Sequence, residues 1–184
     1  MINIPDCILL KITQNLVLRY LDLKITNEIV RKLVGIMEKK KKPFLFKHNR
    51  NRTPYNSNIK LLFEDNLFTQ REIEADKNSL DPDDITDKAA VGFIITFFLY
   101  IRPNISTIKV CLKGQGYDYY CREENRLIKI EISGVNVENK NAFYGRVYQK
   151  KTKFEKKIFE PRGDEEIIGI VDFFYYKYKI WNVR

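Results

Sequence analysis

Two spacings of apolar residues alternate along the chain, and they divide it into helices and strands. Near the start, Ile8, Ile12, Leu16 and Tyr20 recur about one helical turn apart, and so do Ile29, Leu33 and Met37. This spacing predicts two helices, over residues 7–20 and 26–40, the second opened by Thr26 as cap and by acidic Glu28 in its first turn. Lys39 to Lys42 and then Pro43 end it, because proline fixes its own backbone and restricts the residue before it. From Asn58 the period shortens to two. Ile59, Leu61 and Phe63 alternate as in a strand, and residues 68–73 read as a second short strand. Residues 76–84 are polar, contain Pro82 and read as a loop, the clearest boundary in the chain.

Beyond that boundary Asp83, Asp84 and Thr86 lead into an apolar run from Ala89 to Tyr100, the pattern of a helix with an acidic first turn, buried on most sides. Pro103 and Asn104 stop it. The remainder predicts strands at 107–112, 117–122 and 127–133, a helix at 141–153 and a strand at 167–174. Near the C-terminus Tyr176, Tyr178 and Trp181 interleave with Lys177 and Lys179; such rings pack on a core or partner, or stack on bases.

One strand carries chemistry. In Leu127 to Ser133 the side chains alternate, so Ile128, Ile130 and Ile132 share one face while Lys129, Glu131 and Ser133 share the other. Asp118 lies on the preceding strand, with residues 122–125 as the polar turn, and antiparallel pairing brings its carboxylate beside Glu131. Two adjacent carboxylates repel unless a cation lies between them, and oxygen-only ligands suit Mg²⁺ or Mn²⁺. A cation so held activates water and stabilises charge on a phosphodiester. The alternative is a strand with ordinary exposed charges.

Charge sharpens this picture. Lys and Arg number 33 against 24 Asp and Glu, a formal charge of +9 that favours polyanionic partners, although a Lys-, Asn- and Ile-rich composition also follows from an A/T-rich genome. Basic residues continue from Lys39 through Lys47, Arg50 and Arg52 with no acid among them, either as a solvated surface or as a nucleic-acid contact. The helix at 141–153 carries Arg146, Lys150, Lys151 and Lys153, a basic face suited to phosphates without sequence readout.

Cys7, Cys111 and Cys121 stand singly and His48 is the only histidine, so Cys and His alone build no zinc cluster, and a reduced, cytoplasmic setting is expected. Asp6 interrupts the N-terminal apolar residues as a poor secretory signal would, and the run from Ala89 to Ile101 falls short of the roughly 20 residues of a membrane span. No membrane segment is expected.

The segments Asp84-Ile85-Thr86-Asp87-Lys88-Ala89-Ala90, Lys113-Gly114-Gln115-Gly116-Tyr117-Asp118-Tyr119 and Ile130-Glu131-Ile132-Ser133-Gly134 carry a resemblance. In their order, and in the succession helix, three strands, helix, strand, residues 83–153 resemble the PD-(D/E)xK restriction-endonuclease-like superfamily, and within it a bacterial group with an E-x-S-G strand. The resemblance implies an α/β fold: a mixed sheet flanked by helices over 83–184, preceded by an N-terminal helical and strand extension over 1–75. It implies Asp118 and Glu131 as metal ligands, with Asp87 completing the shell, or Asp84 or Asp83 in its place.

The superfamily's lysine two residues after the glutamate is replaced by Ser133. Lys129, on the same strand face, and Lys150, on the next helix where some members relocate the lysine, are the candidates for its work on the attacking water. The glycines of Gly114-x-Gly116 serve a tight turn. The function this implies is a Mg²⁺- or Mn²⁺-dependent nuclease acting on DNA or RNA, in bacterial defence. The alternative is a catalytically degenerate nuclease fold that binds nucleic acid or acts as scaffold with a partner protein or as a homodimer.

Overall fold

The computed structural model describes residues 7–22, 27–38, 44–48, 57–78, 81–111, 117–155 and 165–182. Among these, one mixed eight-stranded sheet and five helices make up an α/β protein. In chain order the elements are β1 (Cys7–Ile12), α1 (Gln14–Asp22), α2 (Asn27–Glu38), β2 (Phe44–His48), β3 (Asn58–Phe63), α3 (Gln70–Asn78) and α4 (Pro82–Ile101). There follow β4 (Ile105–Val110), β5 (Tyr119–Glu123), β6 (Arg126–Val135), α5 (Lys140–Glu155), β7 (Glu165–Asp172) and β8 (Lys177–Asn182). The strands lie in the order β1-β3-β2-β8-β7-β6-β5-β4.

The second half of the chain follows its expected pattern closely, and the first half departs from it in three places. The helix expected over 7–20 is a strand up to Ile12, then α1. Ile8 and Ile12 are four apart, a spacing that a strand face and a helix face share; Leu10 decides, because Ile8, Leu10 and Ile12 are all buried while Cys7, Leu9 and Lys11 are exposed. Thr13 then caps α1, its Oγ1 accepting from the Leu16 N–H at 3.2 Å. The strand expected over 68–73 is instead the start of α3. Thr69 and Glu72 form a reciprocal capping box: the Glu72 carboxylate accepts from the Thr69 N–H at 2.8 Å and Thr69 Oγ1 accepts from the Glu72 N–H at 3.3 Å. The third departure is β2, a short strand inside the basic run. Most of that run lies outside the described residues, as does Gly114-x-Gly116.

The loop expected over 76–84 is shorter than its polarity suggests, since α3 runs to Asn78 and α4 begins at Pro82. Asp81 caps α4, its side chain accepting from the Asp83 N–H at 3.0 Å, and Pro82 occupies the first turn, where a missing N–H costs nothing. This helix is the axis of the molecule. It is buried from Ala89 to Leu99, with α2 on one side and β6 and β7 on the other. Two glycines allow the close approach. A Cβ at Gly92 would lie 3.1 Å from the Ile29 carbonyl oxygen, and one at Gly134 would lie 2.4 Å from that of Thr86.

The chain boundary near residue 80 does not interrupt the sheet. β2 pairs in parallel with β8, and Phe46 on β2 packs against Phe93 of α4, with centroids 4.5 Å apart, and against Phe173, 6.0 Å away. One apolar core therefore runs from Ile8 to Ile180. A second, smaller cluster sits on the other face of the sheet, where Phe143 of α5 meets Ile168, Ile170 and Val135. That second face carries the candidate site.

Candidate functional site

β6 is central, flanked by β5 antiparallel and β7 parallel. Its even positions Ile128, Ile130 and Ile132 enter the core under α4, as the sequence alternation predicts, and its odd positions face α5. Glu131 is on that second side and only 3% exposed. A buried carboxylate needs partners. Two come from consecutive turns of α5: Lys150 Nζ donates to Glu131 Oε1 in a short ion pair, and Lys153 Nζ reaches the same oxygen at 3.0 Å.

Asp118 stands one residue before β5, in line with Glu131, because Tyr119 pairs with Ile130. Its backbone continues the ladder, the Asp118 N–H donating to the Ile130 carbonyl at 3.0 Å and its own carbonyl accepting from the Cys111 N–H at 2.9 Å. Its side chain turns back onto β6, where Oδ2 accepts from the Ile132 N–H at 2.7 Å. Burial pushes the Asp118 carboxyl above the usual carboxylate range; the Ile132 N–H opposes the shift, the Glu131 charge adds to it, and more weakly Lys150 lowers and Asp87 raises it. The same four side chains thus share one electrostatic neighbourhood.

Asp87 arrives from the other side of the sheet. The close crossing at Gly134 lets α4 reach the end of β6, where Asp87 Oδ1 accepts from the Gly134 N–H at 2.7 Å and from Ser133 Oγ at 3.2 Å. Ser133, two residues after Glu131, thereby positions Asp87. Asp84, the alternative ligand, is held elsewhere: its Oδ2 accepts from Lys32 at 2.8 Å and lies 3.2 Å from Lys88. Asp83 gives its backbone N–H to Asp81 and its side chain is exposed.

Of the two candidate lysines, Lys150 meets Glu131 whereas Lys129 Nζ lies 5.9 Å from the centroid of the Tyr117 ring. Sharing a strand face with Glu131 did not bring Lys129 to its carboxylate, since a side chain two positions along a strand stands roughly 7 Å away. Arg146 and Lys151 are exposed on α5, and Lys153, expected only as a phosphate contact, is also a partner of Glu131.

Sequence reasoning missed a further network. Lys32 of α2, its side chain fully buried, bridges Glu28 at 2.8 Å and Asp84 at 2.8 Å, and Lys88 of α4 reaches the same two carboxylates. The signal was present as two i, i+4 pairs, Glu28 with Lys32 and Asp84 with Lys88. Hydrogen bonds from these lysines hold both carboxyls below their usual range. The network locks α2 to the start of α4, one turn from Asp87.

The donor chemistry, carboxylate oxygen without nitrogen or thiolate, suits a hard divalent cation. Register sets Asp118 beside Glu131, so these two carboxylates are the candidates to hold one. Among the described residues no three His, Cys, Asp or Glu side chains are gathered into a metal-binding group, because Asp87 is turned onto β6 and Glu131 onto lysine. Cys121 is buried, its thiol pushed up to about 12 by burial, and acts as a small core side chain. No family model, curated protein or solved structure matches the chain.

Proposed function

We propose that the protein is a divalent-cation-dependent nuclease of the restriction-endonuclease-like kind, with Asp118 and Glu131 as its carboxylate pair and Lys150 as its lysine. The observation that carries this reading is the ion pair from α5 to buried Glu131, which puts an ammonium beside the carboxylates where the E-x-K lysine is absent. The order α4, β4, β5, β6, α5, β7 supports it, being the succession helix, three strands, helix, strand that the resemblance implies. So does the desolvation at Asp118, since burial with a second carboxylate nearby is how catalytic carboxyls are tuned.

In this reading Asp118 and Glu131 would hold Mg²⁺ or Mn²⁺, and Asp87, whose Oδ1 is held by Ser133 and the Gly134 N–H, would stand by as a third carboxylate. The cation supplies Lewis acidity and an activated water. The chain's own residues do the rest. Lys150 orients the attacking water through its ammonium and offsets the negative charge that builds on the phosphate. The Ile132 N–H fixes the Asp118 carboxylate, and Ser133 fixes Asp87. Arg146 and Lys153 on α5 bind the flanking phosphates. The substrate is DNA or RNA, and a cytoplasmic role in bacterial defence belongs to the same proposal.

The test is cleavage of labelled single- and double-stranded DNA and RNA by purified protein in Mg²⁺ or Mn²⁺. Cation-dependent cleavage that disappears in Asp118→Asn and Glu131→Gln supports the assignment. Cleavage equal in wild type and both variants removes it. A second reading is favoured by Ser133 at the lysine position and by two lysines already neutralising Glu131: a degenerate fold that binds nucleic acid without cutting it. Salt-sensitive binding with no turnover in Mn²⁺ selects that reading.

A further inference from the structure

The sheet face that carries Glu131 is roofed by α5 only over β6 and β7. Among the described residues no helix packs over this face of the neighbouring strands β8, β2, β3 and β1, which continue the same surface. Exposure alternates along β1, and Leu9 and Leu45 are 52% and 45% exposed on this open side. With neighbouring strands about 4.8 Å apart, the floor is about 14 Å across.

Its charge is one-sided. Register places Lys11 on β1, Lys60 on β3, Lys47 on β2, and Lys177 and Lys179 on β8 on the same face: Leu9 and Leu45 both pair with Lys60, and Lys47 pairs with Lys177. None of these four strands contains an Asp or Glu. Like charges set directly opposite across two strands destabilise a sheet. Lys47 and Lys177 are register partners across β2 and β8, with buried Asp172 of β7 opposite Lys177 on its other side, and a bound anion would offset the two like charges.

Aromatic rings line the same surface. α5 forms its wall, with Tyr144 and Tyr148 one turn apart and exposed by 48% and 71%. Lys177 Nζ lies 5.6 Å from the Tyr144 centroid, and Lys179 Nζ lies 5.5 Å from that of Trp181. Lys151, the next turn of the wall, is close enough to depress the Lys179 ammonium, although burial is the larger cause. Helix α5 thus stands between two regions, with Lys150 and Lys153 toward Glu131 and Tyr144, Tyr148 and Lys151 toward the shelf.

We propose that this shelf, floored by β8, β2, β3 and β1 and walled by α5, binds single-stranded nucleic acid. Its lysines take the phosphates, and Tyr144 and Tyr148 stack on unpaired bases. The combination decides the occupant: five lysines against the single Asp172 at the margin favour a polyanion, and the exposed Tyr144 and Tyr148 rings beside them favour one whose base faces are free, which a duplex does not offer. The shelf is distinct from the carboxylate site, and its occupancy requires no cation.

The test is fluorescence anisotropy of the whole chain with labelled oligo-dT, oligo-U and a mixed-sequence duplex, in EDTA so that hydrolysis plays no part. Wild type should bind the single strands more tightly than the duplex, with affinity falling linearly in the logarithm of salt concentration. Lys47→Glu/Lys60→Glu should weaken binding by about tenfold or more and reduce the salt slope. Because Lys47→Glu also faces Lys177, its melting temperature should not fall, which separates lost binding from lost folding.

Tyr148→Ala, at an exposed position, should weaken single-strand binding by about fivefold or more while leaving the salt slope unchanged. Duplex bound as tightly as single strand overturns the proposal. So does binding insensitive to both variants, or an interaction with an acidic protein or a second copy in place of nucleic acid. Cleavage activity, present or absent, leaves this outcome unaffected.

Discussion

At the scale of single residues, the carboxylate pair was legible because it needs only two local rules, alternation along β6 and antiparallel pairing with the segment carrying Asp118. Lys150 was one of two candidates and could not be selected from sequence. Its approach to Glu131 depends on where α5 crosses the sheet, which is set by Phe143 packing on Ile168 and Ile170. Lys150→Ala should therefore reduce cleavage by about a hundredfold or more, the scale of losing one transition-state donor, while Lys129→Ala leaves it within a few-fold. Steady-state cleavage by the two variants checks this, and the reverse order would move the lysine to β6.

Asp118 gives a second prediction at this scale. Its carboxyl is raised by burial in the folded protein, so folding disfavours its ionised form. Stability from this group is full below the unfolded carboxyl value of about 3.9 and is lost as pH rises through the folded value. Asp118→Asn should accordingly raise the melting temperature at pH 7 while abolishing cleavage, and the gain should vanish at acid pH. Thermal melts across pH would show it, and a variant less stable than wild type at pH 7 would contradict it.

At the scale of elements, strands and helices after residue 82 were read nearly in place because the apolar runs there are long and of one period. Failures before that point have local causes. In β1 a spacing of four served both periods, and in α3 the pattern Thr69-x-x-Glu72 outweighed the apolar residues around it. The close crossing of α4 and β6 was not legible at all, since nothing in Ser133-Gly134 announces a helix 2.4 Å from the absent Cβ. Gly134→Ala must push backbone against backbone and should destabilise the protein by about 1–3 kcal/mol or more, measured by urea unfolding. It should also displace Asp87, which takes the Gly134 N–H.

The bridge between α2 and α4 has a pH signature of opposite sign to that of Asp118. Glu28 and Asp84 are held below their usual range by Lys32 and Lys88, so their contribution is present above the unfolded carboxyl values and is lost as pH falls through the folded ones. Lys32→Ala leaves the two carboxylates with Lys88 alone. Because both carboxylates are about a third exposed and keep Lys88, it should cost about 1–3 kcal/mol at neutral pH, with less of that difference remaining in acid. A pH series of urea unfolding on wild type and variant checks both the size and the sign.

At the scale of the whole molecule, the chain read as an extension plus a core folds as one sheet, and long-range pairings such as β2 with β8 leave no trace in local patterns. Phe46 should therefore behave as a residue of the common core. Phe46→Ala is expected to cost about 3–5 kcal/mol in a single unfolding transition, and two separated transitions would show that the halves fold apart.

The same packing brings α4, β6 and α5 together around Glu131, and the central claim is that this carboxylate seats a cation for which Lys150 competes. Calorimetric titration of Mn²⁺ into wild type, Glu131→Gln and Lys150→Met tests it most directly. Binding should be lost in Glu131→Gln and strengthened in Lys150→Met, where the competing ammonium is gone. Mn²⁺ bound equally by all three proteins, or by none, would contradict the account.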